Sequence, residues 1–152
     1  MPTNQELDTF ANDHIGYEVR MLVGQVKALE RLGRSPATPA EQAYLEASLV
    51  HIRLLDEFLG GRPKRTTDVR ADDWGTSWPS SGAPLTKAER KRVDAHLAHL
   101  PLRRVRARDD WQPAEVGVIA RTCLTQLLAF IGTLSGQRAA AFDVARREAA
   151  KL

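Results

Sequence analysis

Residues 38–61, TPAEQAYLEASLVHIRLLDEFLGG, decide the fold. Thr38 and Glu41 have the spacing of a capping box. Pro39 falls at the first helical position, where its missing N–H costs nothing, and Gly60 and Gly61 supply a stop. At about 100° per residue, Tyr44, Leu45, Leu49, Ile52, Leu55, Phe58 and Leu59 share one broad face. Leu54 sits at its edge, and Ser48 and His51 lie inside it. Only Glu46, Arg53 and Glu57 make a clearly polar stripe. A helix apolar over most of its circumference packs against several neighbours, so this stretch reads as the central helix of an all-α fold.

Working outward, residues 3–32 read as the preceding helix, capped by Thr3 with Glu6 and stopped by Gly33. Its apolar face gathers Leu7, Phe10, Ala11, Ile15, Met21, Leu22, Val26, Leu29 and Leu32. His14, Glu18 and Gln25 fall within that face. The link RLGRSPATP is short, so the two helices form an antiparallel hairpin. Beyond Gly61 the 61–85 segment has no periodicity but carries Trp74 and Trp78, and is expected to dock them on the bundle as an ordered loop. Thr86 and Glu89 cap a short third helix ending before Pro101, with Val93, Leu97 and Leu100 facing the core. Pro113 opens a fourth, to about Leu134, with Cys123 mid-face as an inert core thiol. An alanine-rich fifth helix, 137–151, is expected to pack loosely and fray. No segment alternates with period two over strand length. The expected architecture is one domain, residues 1–152: an up-and-down four-helix bundle with a long loop between helices 2 and 3 and a short C-terminal helix.

Composition agrees with a globular chain: 43% hydrophobic and 27% charged residues in 152, enough to bury a core. No apolar run reaches the ~20 residues of a bilayer span. The start, MPTNQELDTF, lacks a basic and apolar leader, and a lone cysteine suits a reducing compartment, so a cytoplasmic location is expected. The net charge of +3 is unevenly spread. Residues 87–108 hold eight Lys/Arg against two acids, making +6, and the remainder carries −3.

Sequential catalytic signatures are absent, so chemistry must come from side chains brought together by helical phase. His14 and Glu18 are i, i+4 neighbours. A hairpin turning near Ser35 sets His51 level with about residue 20, within one turn (~5 Å) of Glu18. Imidazole and carboxylate meeting inside a bundle suit first a buried hydrogen-bonded pair, and a divalent metal as the sharper alternative. No other cofactor is expected. A second set, Arg92, His96 and His99, lies along one flank of the third helix. Arg103, Arg104 and Arg106 extend that basic segment, which could neutralise RNA phosphates.

Two resemblances follow. The pairs Arg90-KRVDA-His96 and Arg92-VDAHLA-His99 resemble the Arg-then-His pattern of HEPN-like helical bundles, which include ribonuclease toxins. That resemblance implies metal-independent RNA cleavage, with Arg92 on phosphate and His99 or His96 moving protons. More specifically, HIRLLDEFL (51–59), DVRADDW (68–74) and HLAHL (96–100) resemble motifs that recur in this order in a family of small bacterial helical proteins with no known activity. It covers about a third of the chain and implies one neighbourhood of His51, Arg53, Asp68, Asp72, Trp74, His96 and His99, in which Arg53 meets a loop aspartate. The leading functional reading is a non-catalytic bundle acting by self-association or with a protein partner. RNA binding or cleavage is the alternative, a metal site at His14, Glu18 and His51 the third, and no membrane partner is expected.

Overall fold

A computed structural model describes residues 2–34, 36–60, 68–75, 78–79, 82–98 and 111–152. Among these the chain is all-helical, with no strand. The helices are α1 (Asn4–Thr9), α2 (Gly16–Leu32), α3 (Pro39–Phe58), α4 (Lys87–Ala98), α5 (Pro113–Gly132), α6 (Gly136–Ala140) and α7 (Asp143–Ala149). The local signals act as the sequence predicts. Thr3 with Glu6 and Thr38 with Glu41 close reciprocal capping boxes, and Glu89 accepts from the Thr86 N–H at 2.7 Å. Gly33 ends α2 at φ +61°, a left-handed conformation that glycine adopts without strain.

α1 and α2 form one continuous rod, but Phe10–Ile15 winds as a π-helix. Gly16 N–H bonds to the Ala11 carbonyl, five residues back. A π turn holds more residues than an α turn, so it rotates what precedes it by roughly one residue's worth of phase. The buried row is Leu7, Ala11, Ile15, Val19, Leu22, Val23, Val26 and Leu29: uniform winding gave six of these, missed Val19 and Val23, and put Phe10, Met21 and Leu32 deeper than their half-buried positions. His14 is a correction: it leaves the apolar face and is exposed.

α2, α3 and α5 pack against one another, α7 packs on α2, and α4 packs on α3. Leu45, Leu49, Ile52, Leu55 and Leu59 of α3 enter the core with Leu124, Leu127 and Ile131 of α5. Ser48 is fully buried in this face, and its hydroxyl donates to the Tyr44 carbonyl at 2.8 Å. Asp56 is fully buried too, beside Leu55. Its carboxylate accepts from Arg90 Nε at 2.6 Å, Arg90 Nη2 at 3.2 Å and the Leu85 N–H at 3.1 Å. Arg90 also donates to the Leu85 carbonyl at 2.5 Å. One carboxylate thus fastens the entry to α4 onto α3.

The loop docks as its tryptophans require. Trp74 is buried in a cage of Phe58, Phe130 and Phe142, with ring centroids 5.3–6.2 Å away. Trp78 donates from Nε1 to the Leu59 carbonyl at 3.2 Å and lies against Gly82, where an added Cβ would stand 2.5 Å from the indole. The C-terminal segment departs from expectation. It is two short helices, and the break between them turns Phe142 fully inward. Ala145 is buried and Val144 presses on Gly16, so this end is tightly packed. α5 is by length and composition able to cross a bilayer, but half of its most apolar window is buried here. Cys123 is fully buried on it, and burial pushes its thiol well above the usual range.

Breaking a buried ion pair by removing one partner leaves an uncompensated charge and costs about 3–5 kcal/mol. Asp56→Ala is therefore expected to lower the unfolding free energy from denaturant titration by that much, and a loss below about 1 kcal/mol would contradict this role. Hydrogen bonds from Arg34, then from the Ala37 and Thr38 N–H groups, hold the Glu41 carboxyl at about 2. Its contribution is complete above the ordinary value of 4.5 and is lost as pH falls from there through about 2. Over that window the melting temperature of wild type should fall more steeply than that of Glu41→Gln, as followed by circular dichroism.

Candidate functional site

The hairpin sets the register of the polar pair. Glu18 lies 14 residues before the end of α2 at Leu32, and His51 lies 12 residues after the start of α3 at Pro39. They meet: His51 Nδ1 stands 2.5 Å from Glu18 Oε2, with both side chains largely buried. A carboxylate oxygen only accepts, so this bond is made by the tautomer of His51 that carries its proton on Nδ1. The Tyr17 ring covers the imidazole edge-on at 6.2 Å.

His14 does not join them as a ligand. Carried outward by the π turn, its ring rests on Phe10 at 5.2 Å. Among the described residues, no three His, Cys, Asp or Glu are grouped to hold a metal ion. The expected set of His14, Glu18 and His51 is thus reduced to a pair. His14 and Glu18 do line a shared cleft of about 290 Å³ with Phe10, Phe58, Asp68 and Arg70. Arg70 is buried, its N–H donates to Asp73 at 2.8 Å, and its Nη2 stands 3.9 Å from Asp68.

The remaining predicted residues scatter. Arg53 pairs within α3 to Glu57 at 3.0 Å and across to Asp94 of α4 at 3.7 Å, where a loop aspartate was expected. Asp72 is exposed in the Ala71–Trp74 turn, and Trp74 is a core residue whose carbonyl accepts from Arg138. Arg92 lies 3.8 Å over the Trp111 ring and grips Glu115 with both terminal nitrogens, at 3.0 and 3.3 Å. That arginine is engaged in joining α4 to α5, and the same bonds hold Glu115 below the usual carboxylate range. His96 is half-buried on α4. His99, Arg103, Arg104 and Arg106 lie outside the described residues.

Sequence reasoning missed Asp56 and the outward side of α3. Asp56 had a signal: with Leu45, Leu49 and Ile52 it continues a 4-3-4 spacing that runs straight into the core. Opposite that row, Ala43, Val50 and Leu54 are exposed beside the half-buried Ala47. Val50 and Leu54 each keep 40% of their surface, Tyr44 41% and Tyr17 of α2 51%. Ala43, Ala47, Val50 and Leu54, with Glu46, Arg53 and Glu57 along one side and Leu97 of α4, bound an open groove of about 590 Å³ along α3. No family model, curated protein or solved structure matches the chain.

The Glu18–His51 bond carries a direct test. Hydrogen bonds to charged groups contribute about 1.5–3 kcal/mol, and double-mutant cycles isolate that part. Glu18→Ala and His51→Ala should show a coupling of about 2 kcal/mol in denaturant unfolding. Additive losses would mean the pair is solvated and contributes little.

Proposed function

We propose that the chain is an up-and-down helical bundle whose work is self-association through the outward face of α3. One observation carries this reading: Val50, Leu54 and Tyr44, with Tyr17 beside them, stay exposed along the same helix that supplies much of the core. Scattered surface leucines need no explanation, but a row along one groove is the pattern of an interaction site. Aromatic residues at its edge suit an interface, since they give large contact area at small entropic cost.

The state of the polar groups supports the same reading. Phosphate chemistry in the third helix turns on Arg92, and that guanidinium is stacked on Trp111 and bonded through both terminal nitrogens to Glu115. The imidazole of His51 faces Glu18 inside the hairpin. Among the described residues, Arg92 is already engaged, and His51 faces Glu18 and not the cleft that Glu18 lines. The α3 groove, by contrast, is open and mostly apolar, and it needs no rearrangement to receive another helix.

Sedimentation across a concentration series tests this. The wild-type mass should rise with concentration towards that of a dimer. Leu54→Glu should remain monomeric with its melting temperature nearly unchanged, because the residue is outside the core. A wild type that stays monomeric at high concentration would overturn the reading.

A further inference from the structure

The geometry points to α3 pairing with α3 of a second copy of this chain, antiparallel, about a two-fold axis passing between Ser48 and Leu49. This rests on the self-association reading and specifies its partner and register.

Four residues define the seam. Ala43, Ala47, Val50 and Leu54 recur at steps of four, three and four, the 3.5-residue period that keeps one row facing a partner helix over several turns. They lie on the side of α3 opposite the buried row of Leu45, Leu49, Ile52 and Leu55. The pairing of helix with core therefore leaves this row unused.

Size sets the direction. The small residues occupy the N-terminal half of the seam and the large ones the C-terminal half. A parallel pair would set alanine on alanine and leave voids that close packing does not tolerate. An antiparallel pair sets Ala47 opposite Val50 and Ala43 opposite Leu54 of the other copy. The two-fold axis repeats both layers, so each of the four layers holds one small and one large side chain. Such a surface is complementary to itself, as an isologous interface must be.

Charge sets the same direction independently. Glu46 and Arg53 are seven residues apart and flank the seam on one side. Antiparallel pairing brings each beside its opposite in the partner copy, giving two attractive pairs related by symmetry. Within one chain Arg53 already stands between two carboxylates, Glu57 and Asp94, so its surroundings favour keeping the cation in place as the helices dock. On the other flank Tyr17 and Tyr44 supply an aromatic rim. Leu97 of α4 stands beside the C-terminal half of the seam. In the antiparallel pair it closes over the alanine half of the incoming helix.

Engineered cysteines read the register, because the single native Cys123 is buried and does not interfere. Mixing Ala47→Cys with Val50→Cys protein, or Ala43→Cys with Leu54→Cys protein, should give cross-linked dimers on mild oxidation. Leu54→Cys alone should not cross-link, since the two copies of that position lie 11 residues apart along the axis, about 16 Å at 1.5 Å per residue. Charge reversal gives a second reading without cysteines. Glu46→Arg and Arg53→Glu should each weaken the dimer about tenfold, and both in one chain should restore it. Self-cross-linking of Leu54→Cys, or a double reversal as weak as the singles, in a protein that still dimerises overturns this register and leaves self-association standing. A wild type monomeric throughout overturns both.

Discussion

Removing the Asp56 carboxylate from water is the constraint on which the rest of the structure depends. An isolated buried charge is not tolerated, so its partners had to be brought to it. They come from one place, the start of α4: Arg90 supplies two donors and Leu85 the third. Arg90 also caps the Leu85 carbonyl, so the backbone at the end of the long loop is fixed at both its donor and its acceptor. The end of that loop is therefore held to α3 by charge, while Trp74 and Trp78 hold its middle by burial. Once α4 is placed, Asp94 reaches Arg53 and Leu97 walls one side of the α3 groove. A single acid on the inner face thus shapes the outer face of the same helix.

The π turn in Phe10–Ile15 has an equally wide effect. It lies between two buried stretches of one rod, Leu7 and Ala11 before or within it and Val19 to Leu29 after it. The same extra residue moves His14 out to the rim while leaving Glu18, beyond the turn, facing His51. What the sequence presents as three convergent ligands becomes a buried pair and a surface histidine.

The legible features are those with short-range causes. The capping boxes at Thr3, Thr38 and Thr86 depend on three-residue spacings and are formed where they were read. The Glu18–His51 meeting was legible because a short link fixes hairpin register. The docking of the tryptophans followed from the cost of exposing them. Other features have no local cause. A π turn is a response to tertiary packing, and uniform winding cannot reveal it. Arg92 finds Trp111 only once α4 and α5 are side by side, so its flank position on α4 alone suggested a free cation. The alanine-rich end looked loose because alanines carry little apolar area, yet small residues are what let Val144 and Ala145 approach α2 closely. For α3 the wide apolar arc was legible in meaning as well as extent: the helix packs against α2, α4 and α5, and the sequence left unread only the exposed row of Val50 and Leu54.

α3 therefore has two faces, one closed by α2, α5 and the Asp56–Arg90 pair, the other open and, in the proposed pairing, self-complementary. A dilution series of amide and methyl NMR spectra tests this division most directly. Dilution should shift signals of Ala43, Ala47, Val50 and Leu54 together, with those of Leu45, Leu49 and Ile52 unmoved. Shifts centred on any other helix, or spectra identical at every concentration, would contradict it.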